Sequence, residues 1–110
     1  MAWFKVDDQL AFHSKAMAAG NAAMGLWVRA GSFCAQQLTD GYVPKDIAET
    51  LGTRRQAERL VDAGLWKPEA GGYRYHDWVD FQPSRAEIQQ KRAATAARLK
   101  RWREARRDET

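Results

Sequence analysis

The residues best suited to chemistry in this sequence are arginines. Arg54, Arg55 and Arg59 fall within one short stretch, with Gln56 among them. An arginine can bind guanine O6 and N7 in a bidentate way, each such pair contributing roughly 1–3 kcal/mol of discrimination. A second set, Lys91, Arg92, Arg98, Lys100, Arg101, Arg103, Arg106 and Arg107, crowds the C-terminal end. Cations of that kind meet phosphates; they supply affinity and salt dependence but little sequence information. Lys67 and Arg74 lie between the two sets, placed to reach a phosphate or a minor groove. Glu58 and Asp62 share the stretch with the first arginines. They could accept from cytosine N4, or pair with Arg54, Arg55 and Arg59 at helical spacing and leave only a solvated face.

Other chemistries find little support. His13, His76 and the single Cys34 lack metal-ligand spacing, and no glycine-rich phosphate loop is present. Asp7/Asp8 and Asp77/Asp80 suit turns and caps. His76 suits orienting a side chain or turn, and Cys34 a buried apolar site. No enzyme, cofactor, metal or small-molecule substrate is expected. One cysteine allows no disulfide within the chain and fits a reducing cytoplasm. No apolar run approaches the roughly 20 residues of a membrane span, and the opening Trp3-Phe4-Lys5 followed by two acids does not look like a signal peptide. The expected location is the cytoplasm, away from membranes.

Charge is segregated. Residues 1–84 hold nine Lys/Arg against ten Asp/Glu, whereas residues 85–107 hold nine against two. A near-neutral body with a strongly basic tail suits a polyanionic partner.

The elements that would position these side chains follow from periodicity. Val43 to Trp66 reads as a helix-turn-helix. Pro44 suits a first helical position, and Ile47, Ala48 and Leu51 recur on one face. Gly52 ends the helix, by accepting a left-handed backbone. Thr53 is an N-cap for a second helix, in which Ala57, Leu60, Val61 and Gly64 fall on one face and the arginines on the other. Such a unit puts one helix into a major groove. Upstream, Trp3–Val6 reads as a short strand, Asp7-Asp8-Gln9 as a turn, and Lys15–Ala19 as a short helix capped by Ser14. Ala22–Leu38 is apolar nearly all round, which predicts a buried helix with no direct role in binding. Tyr42–Val43 makes a brief strand. Leu65–Lys67 and Tyr73–His76 around Gly71-Gly72 make a hairpin. Trp78, Val79 and Phe81 should fold back onto the core. Ser84 caps a helix over Arg85–Arg107, which has no Gly or Pro. Ile88, Thr95, Leu99 and Trp102 form a thin stripe along it. That helix could project along DNA, dimerise weakly, or order on binding.

Taken together, AMGLWVRAGSFCAQQLTDGYVP, LVDAGLW and GGYRYHDWVDFQPSR resemble the winged-helix proteins of actinobacterial phages and prophages. The opening WFKVDDQLAFHSK fits the same pattern. The resemblance covers about residues 2–85, and its most distinctive piece is HDWVDFQPSR. It implies a DNA-binding replication initiator or replisome organiser that helps load the replication machinery.

The expected fold is mainly α with a small β-hairpin: a winged helix-turn-helix over residues 1–83, then a long basic C-terminal helix over 84–110. The expected partner is double-stranded DNA, through Arg54, Arg55, Gln56, Arg59, Lys67, Arg74 and the eight tail cations. Replication proteins and a homodimer through the C-terminal helix are further candidate partners. Three other roles fit the same residues: a small transcriptional regulator or excision factor, a protein-interaction module, and RNA binding through the arginine-rich tail.

Overall fold

The computed structural model describes residues 2–108; Met1, Glu109 and Thr110, at the ends of the two expected segments, lie outside it. A 3-10 turn at Leu10–Phe12 leads into α1 (Ser14–Ala19) and α2 (Asn21–Gln37). Then come β1 (Tyr42–Pro44), α3 (Lys45–Leu51), α4 (Arg54–Asp62), β2 (Trp66–Glu69), β3 (Gly72–Tyr75), α5 (Trp78–Phe81) and α6 (Arg85–Asp108). The chain is therefore mainly helical, with one three-stranded antiparallel sheet of order β1-β3-β2 and a long C-terminal helix.

Helix α2 is the centre, touching α1, α3, α4 and β1. Its buried face is Ala23, Leu26, Ala30, Gly31, Cys34 and Ala35. Small residues there let the neighbouring elements approach closely. The expected all-round burial is not found: Val28 is 45% exposed, and Arg29, Ser32 and Gln36 face solvent. That side borders an open groove shared with Ile47, Thr50 and Leu51 of α3, and Arg29 Nη1 donates across to the Leu51 carbonyl at 3.3 Å.

The link between α3 and α4 is tight. Thr53 Oγ1 accepts from the Gln56 N–H at 3.2 Å, and Gln56 Oε1 accepts from the Thr53 N–H at 2.9 Å. This reciprocal box satisfies two donors that a helix start leaves unpaired. Gly52 has φ −156°, an extended backbone, so the left-handed expectation fails. Glycine is needed there for closeness: a Cβ would sit 2.6 Å from Gln56 Oε1 and 3.1 Å from Leu26 Cβ. Pro44 is the last residue of β1, and α3 starts one residue later than expected, at Lys45. The Lys45 N–H donates to the Gly71 carbonyl at 3.0 Å, which extends the strand pairing past Pro44.

In the sheet Tyr42 and Lys67 lie opposite Arg74, and Trp66 lies opposite Tyr75. Alternation then puts Val43, Trp66, Tyr73 and Tyr75 on the core face, and Tyr42, Lys67 and Arg74 on the other. The hairpin loop is Ala70-Gly71, with φ +78° at Gly71. A Cβ on Gly72 would fall 2.1 Å from the Val43 carbonyl oxygen, so only glycine lets β1 lie this close.

The N-terminal segment departs from expectation. Trp3–Val6 forms no strand. Its backbone pairs with a side chain instead: the Lys5 N–H donates to Gln82 Oε1 at 3.0 Å, and Gln82 Nε2 donates to the Lys5 carbonyl at 2.6 Å. The buried amide takes the place of a neighbouring strand. Phe4 is thereby set against Trp27, Tyr75 and Trp78, with ring centroids at 5.1, 6.1 and 5.7 Å. His13, not Ser14, caps α1, its Nδ1 accepting from the Lys15 N–H at 3.2 Å. Only Trp78 of the three residues expected to fold back does so; Val79 and Phe81 are 72% and 57% exposed. A single helical turn with Trp78 and Gln82 inward, four residues apart, leaves the side chains between them outward.

Candidate nucleic-acid interface

Two surfaces carry the cations named from sequence: the outer face of α4 with the hairpin, and α6. On α4, Arg54, Arg55 and Arg59 are all exposed. Arg54 Nε meets Glu58 Oε1 at 3.2 Å, so the pairing expected of Glu58 is realised with this arginine. The pair is open to water, and an exposed i,i+4 pair contributes only about 0.3–0.5 kcal/mol; Arg54 is therefore cheaply released. Arg59 turns toward the end of α1, its Nη1 3.5 Å from the Ala19 carbonyl. Arg55 makes no hydrogen bond or ion pair among the described residues. Asp62 stays exposed on the same helix.

Two of the expected contact residues are otherwise engaged. The Gln56 amide oxygen is held by the Thr53 N–H, so reading a base with it would unmake the α4 cap. Arg74 is a brace rather than a free cation of the hairpin. Its Nε meets Glu69 Oε2 at 2.8 Å, its Nη1 donates to the Asp40 carbonyl at 3.0 Å, and its guanidinium lies 5.5 Å from the Tyr42 ring centre. A cation with three partners is not idle charge for a phosphate. Lys67, beside it in register, remains exposed.

Helix α6 starts from a firm root. Ser84 Oγ accepts from the Glu87 N–H at 3.1 Å, and the Arg85 N–H donates to the Asp40 carboxylate at 2.6 Å. Between Arg85 and Arg107 only Ile88 is part-buried; every other side chain faces solvent. At about 100° per residue, Arg92, Arg103, Arg106 and Arg107 fall on one side, and Arg85, which sequence reasoning passed over, joins them; Lys91 and Lys100 lie on opposite flanks, and Arg98 lies beside Lys91. Arg101 falls on the other side with Glu87, Glu104 and most of the alanines. The stripe Ile88, Thr95, Leu99, Trp102 runs down the basic side, with the Arg106 guanidinium 4.8 Å from the Trp102 ring centre. Asp40 is a residue that sequence reasoning placed only in a turn; it anchors both Arg74 and the start of α6.

Other chemistry is thin. Burial pushes the Cys34 thiol up to about 11, and its Sγ–H donates to the Tyr42 carbonyl at 3.4 Å. A thiol so placed is neutral and shielded, the opposite of an activated nucleophile. Burial also raises Tyr75 well above the ordinary phenol range, and its hydroxyl donates to the Trp27 carbonyl. Among the described residues no group of three or more His, Cys, Asp or Glu side chains could hold a metal. No described helix is long and apolar enough to cross a membrane.

Compared with family models, curated proteins and solved structures, the chain matches none.

Proposed function

We propose that this chain binds double-stranded DNA as a winged helix-turn-helix protein, with α3 and α4 as the helix pair and the β2–β3 hairpin as the wing. The observation that carries the reading is α6: a projecting, solvent-exposed helix whose residues 85–107 hold nine Lys/Arg against two Glu, five of the cations on one side. Such a face meets phosphates, giving affinity that falls with salt. Base readout falls to Arg55, with Arg54 and Arg59 able to join once their weak contacts are released. A role in initiating or organising phage or prophage replication rests on the sequence resemblance, a fold-level analogy.

The test is fluorescence anisotropy against random duplex DNA and against duplexes selected from a randomised library, each at two salt concentrations. Binding should be steeply salt-dependent. Arg55→Ala should erase preference for selected duplexes and leave the salt slope nearly unchanged. Loss of residues 91–110 should weaken binding to every duplex and flatten the slope. No binding at low salt would refute the reading. Footprints on a phage origin, compared with promoters and attachment sites, separate a replication role from a regulatory or excision one.

A second reading, a module that binds a replication protein, is favoured by α4 itself. Glu58 and Asp62 make that face close to neutral, which suits a protein partner better than a phosphate backbone.

A further inference from the structure

The apolar stripe of α6 lies between two rows of cations. Past Ile88, every side chain from Gln89 to Arg107 is exposed. Thr95, Leu99 and Trp102 form the outer stripe, with Leu99 and Trp102 44% and 56% exposed. At about 100° per residue, Lys91 and Arg98 lie about 60° to one side of it and Arg92 and Arg103 about 60° to the other. Glu104 falls on the opposite face. Arg106 lies on the stripe itself, its guanidinium 4.8 Å from the Trp102 ring centre. That cation–π contact ties the indole to the helix.

An apolar ridge with cations on each side fits a groove with an anionic wall on each side. The major groove of duplex DNA is such a groove. It is about 12 Å wide and admits a helix of about 10–12 Å with its side chains. Lys91 to Arg103 spans about 18 Å, half the roughly 34–36 Å of one duplex turn, short enough to follow the groove unbent. The two cation rows then meet the two strands, and the stripe faces the groove floor. The apolar group that base pairs offer there is the C5-methyl of thymine. Leu99 and the Thr95 methyl can give only apolar contact. The indole adds one N–H donor, which suits the O4 acceptor beside the thymine methyl.

Other partners fit the stripe less well. A coiled coil of two α6 helices would put Arg92 and Arg106 at core positions beside Thr95, Leu99 and Trp102. Two arginines per helix in the seam of a strongly basic pair oppose association. A single strand, or a duplex backbone met from outside, brings one row of phosphates and leaves the second cation row without a partner.

We propose that α6 lies in the major groove over Lys91–Arg103, where Leu99 and Trp102 contact thymine methyls, so that this helix reads a base as well as binding phosphates. The inference rests on the duplex-binding reading and adds to it a groove and a base. Its test is anisotropy with matched duplexes that differ only in the C5-methyl: alternating A·T against its deoxyuridine counterpart, and alternating G·C against its 5-methylcytosine counterpart. The methyl stands in the major groove of both, and the minor-groove edges are the same. Removing it should weaken binding, and adding it should strengthen binding, by about fourfold for each methyl buried. Trp102→Ala with Leu99→Ala should shrink both differences, at the parent's salt slope and with an unchanged circular-dichroism spectrum. Steeply salt-dependent binding with equal affinity within each pair would overturn the proposal and leave the duplex reading standing. So would a double variant that keeps the full differences. Absence of binding to every duplex at low salt would overturn both.

Discussion

If α6 meets duplex DNA as a rigid rod, its two sides should differ in what each cation contributes. Arg85, Arg92, Arg103, Arg106 and Arg107 share one side, whereas Arg101 lies opposite, near Glu104. A 24-residue helix, about 36 Å long, cannot press cations from all round its circumference on phosphates at once. With about five engaged, the logarithm of affinity falls with log salt at a slope near −4.5. Raising salt fourfold then weakens binding about 500-fold. Removing one engaged cation reduces the slope by about 0.9 and shrinks that span about threefold. Arg103→Ala, Arg92→Ala and Arg106→Ala should each show this change, and Arg101→Ala should not. The assay is anisotropy of a labelled random duplex at several salt concentrations, with circular dichroism to confirm that α6 stays helical. Equal flattening by Arg101→Ala and Arg103→Ala would refute the one-sided rod and leave a tail that binds as a flexible polycation.

Four further expectations concern the body. Thr53→Ala removes one arm of the α4 capping box and should cost about 1 kcal/mol in urea unfolding. Gly31→Ala places a methyl 2.3 Å from the Phe4 ring; it should destabilise by about 1–3 kcal/mol and release the N-terminal segment, seen as faster amide exchange there. Gln82→Ala breaks both hydrogen bonds to Lys5 and should cost about 1–3 kcal/mol, with the same exchange signature. Cys34 should resist alkylation until the chain unfolds. Its proton is held in the folded state up to about pH 11 but released from an ordinary 9.0 when unfolded. The unfolded state therefore binds fewer protons between those values, and stability must fall as pH rises through them, by about 2–3 kcal/mol at most. Cys34→Ala should remove that part of the alkaline loss, measured as urea midpoints against pH.

What was legible in the sequence was what neighbours along the chain decide. Thr53 and Gln56 sit three residues apart and cap a helix together, as Thr-x-x-Gln suggests. The β2–β3 hairpin follows from apolar runs around a glycine turn, and α6 from an unbroken stretch of strong helix formers. Two departures turn instead on partners that only the fold brings together. Trp3–Val6 looked like a strand because its composition is that of one, but the partner is a glutamine amide 77 residues on. Arg74 looked available because Glu69, Asp40 and Tyr42 converge on it only after the sheet has formed. Val79 and Phe81 looked like core because apolar residues often are, yet a one-turn helix buries one side only. The same limit applies to the candidate interface. Local pattern finds every cation but not which are already committed, and that distinction moves the expected base readout onto Arg55 and the expected affinity onto α6.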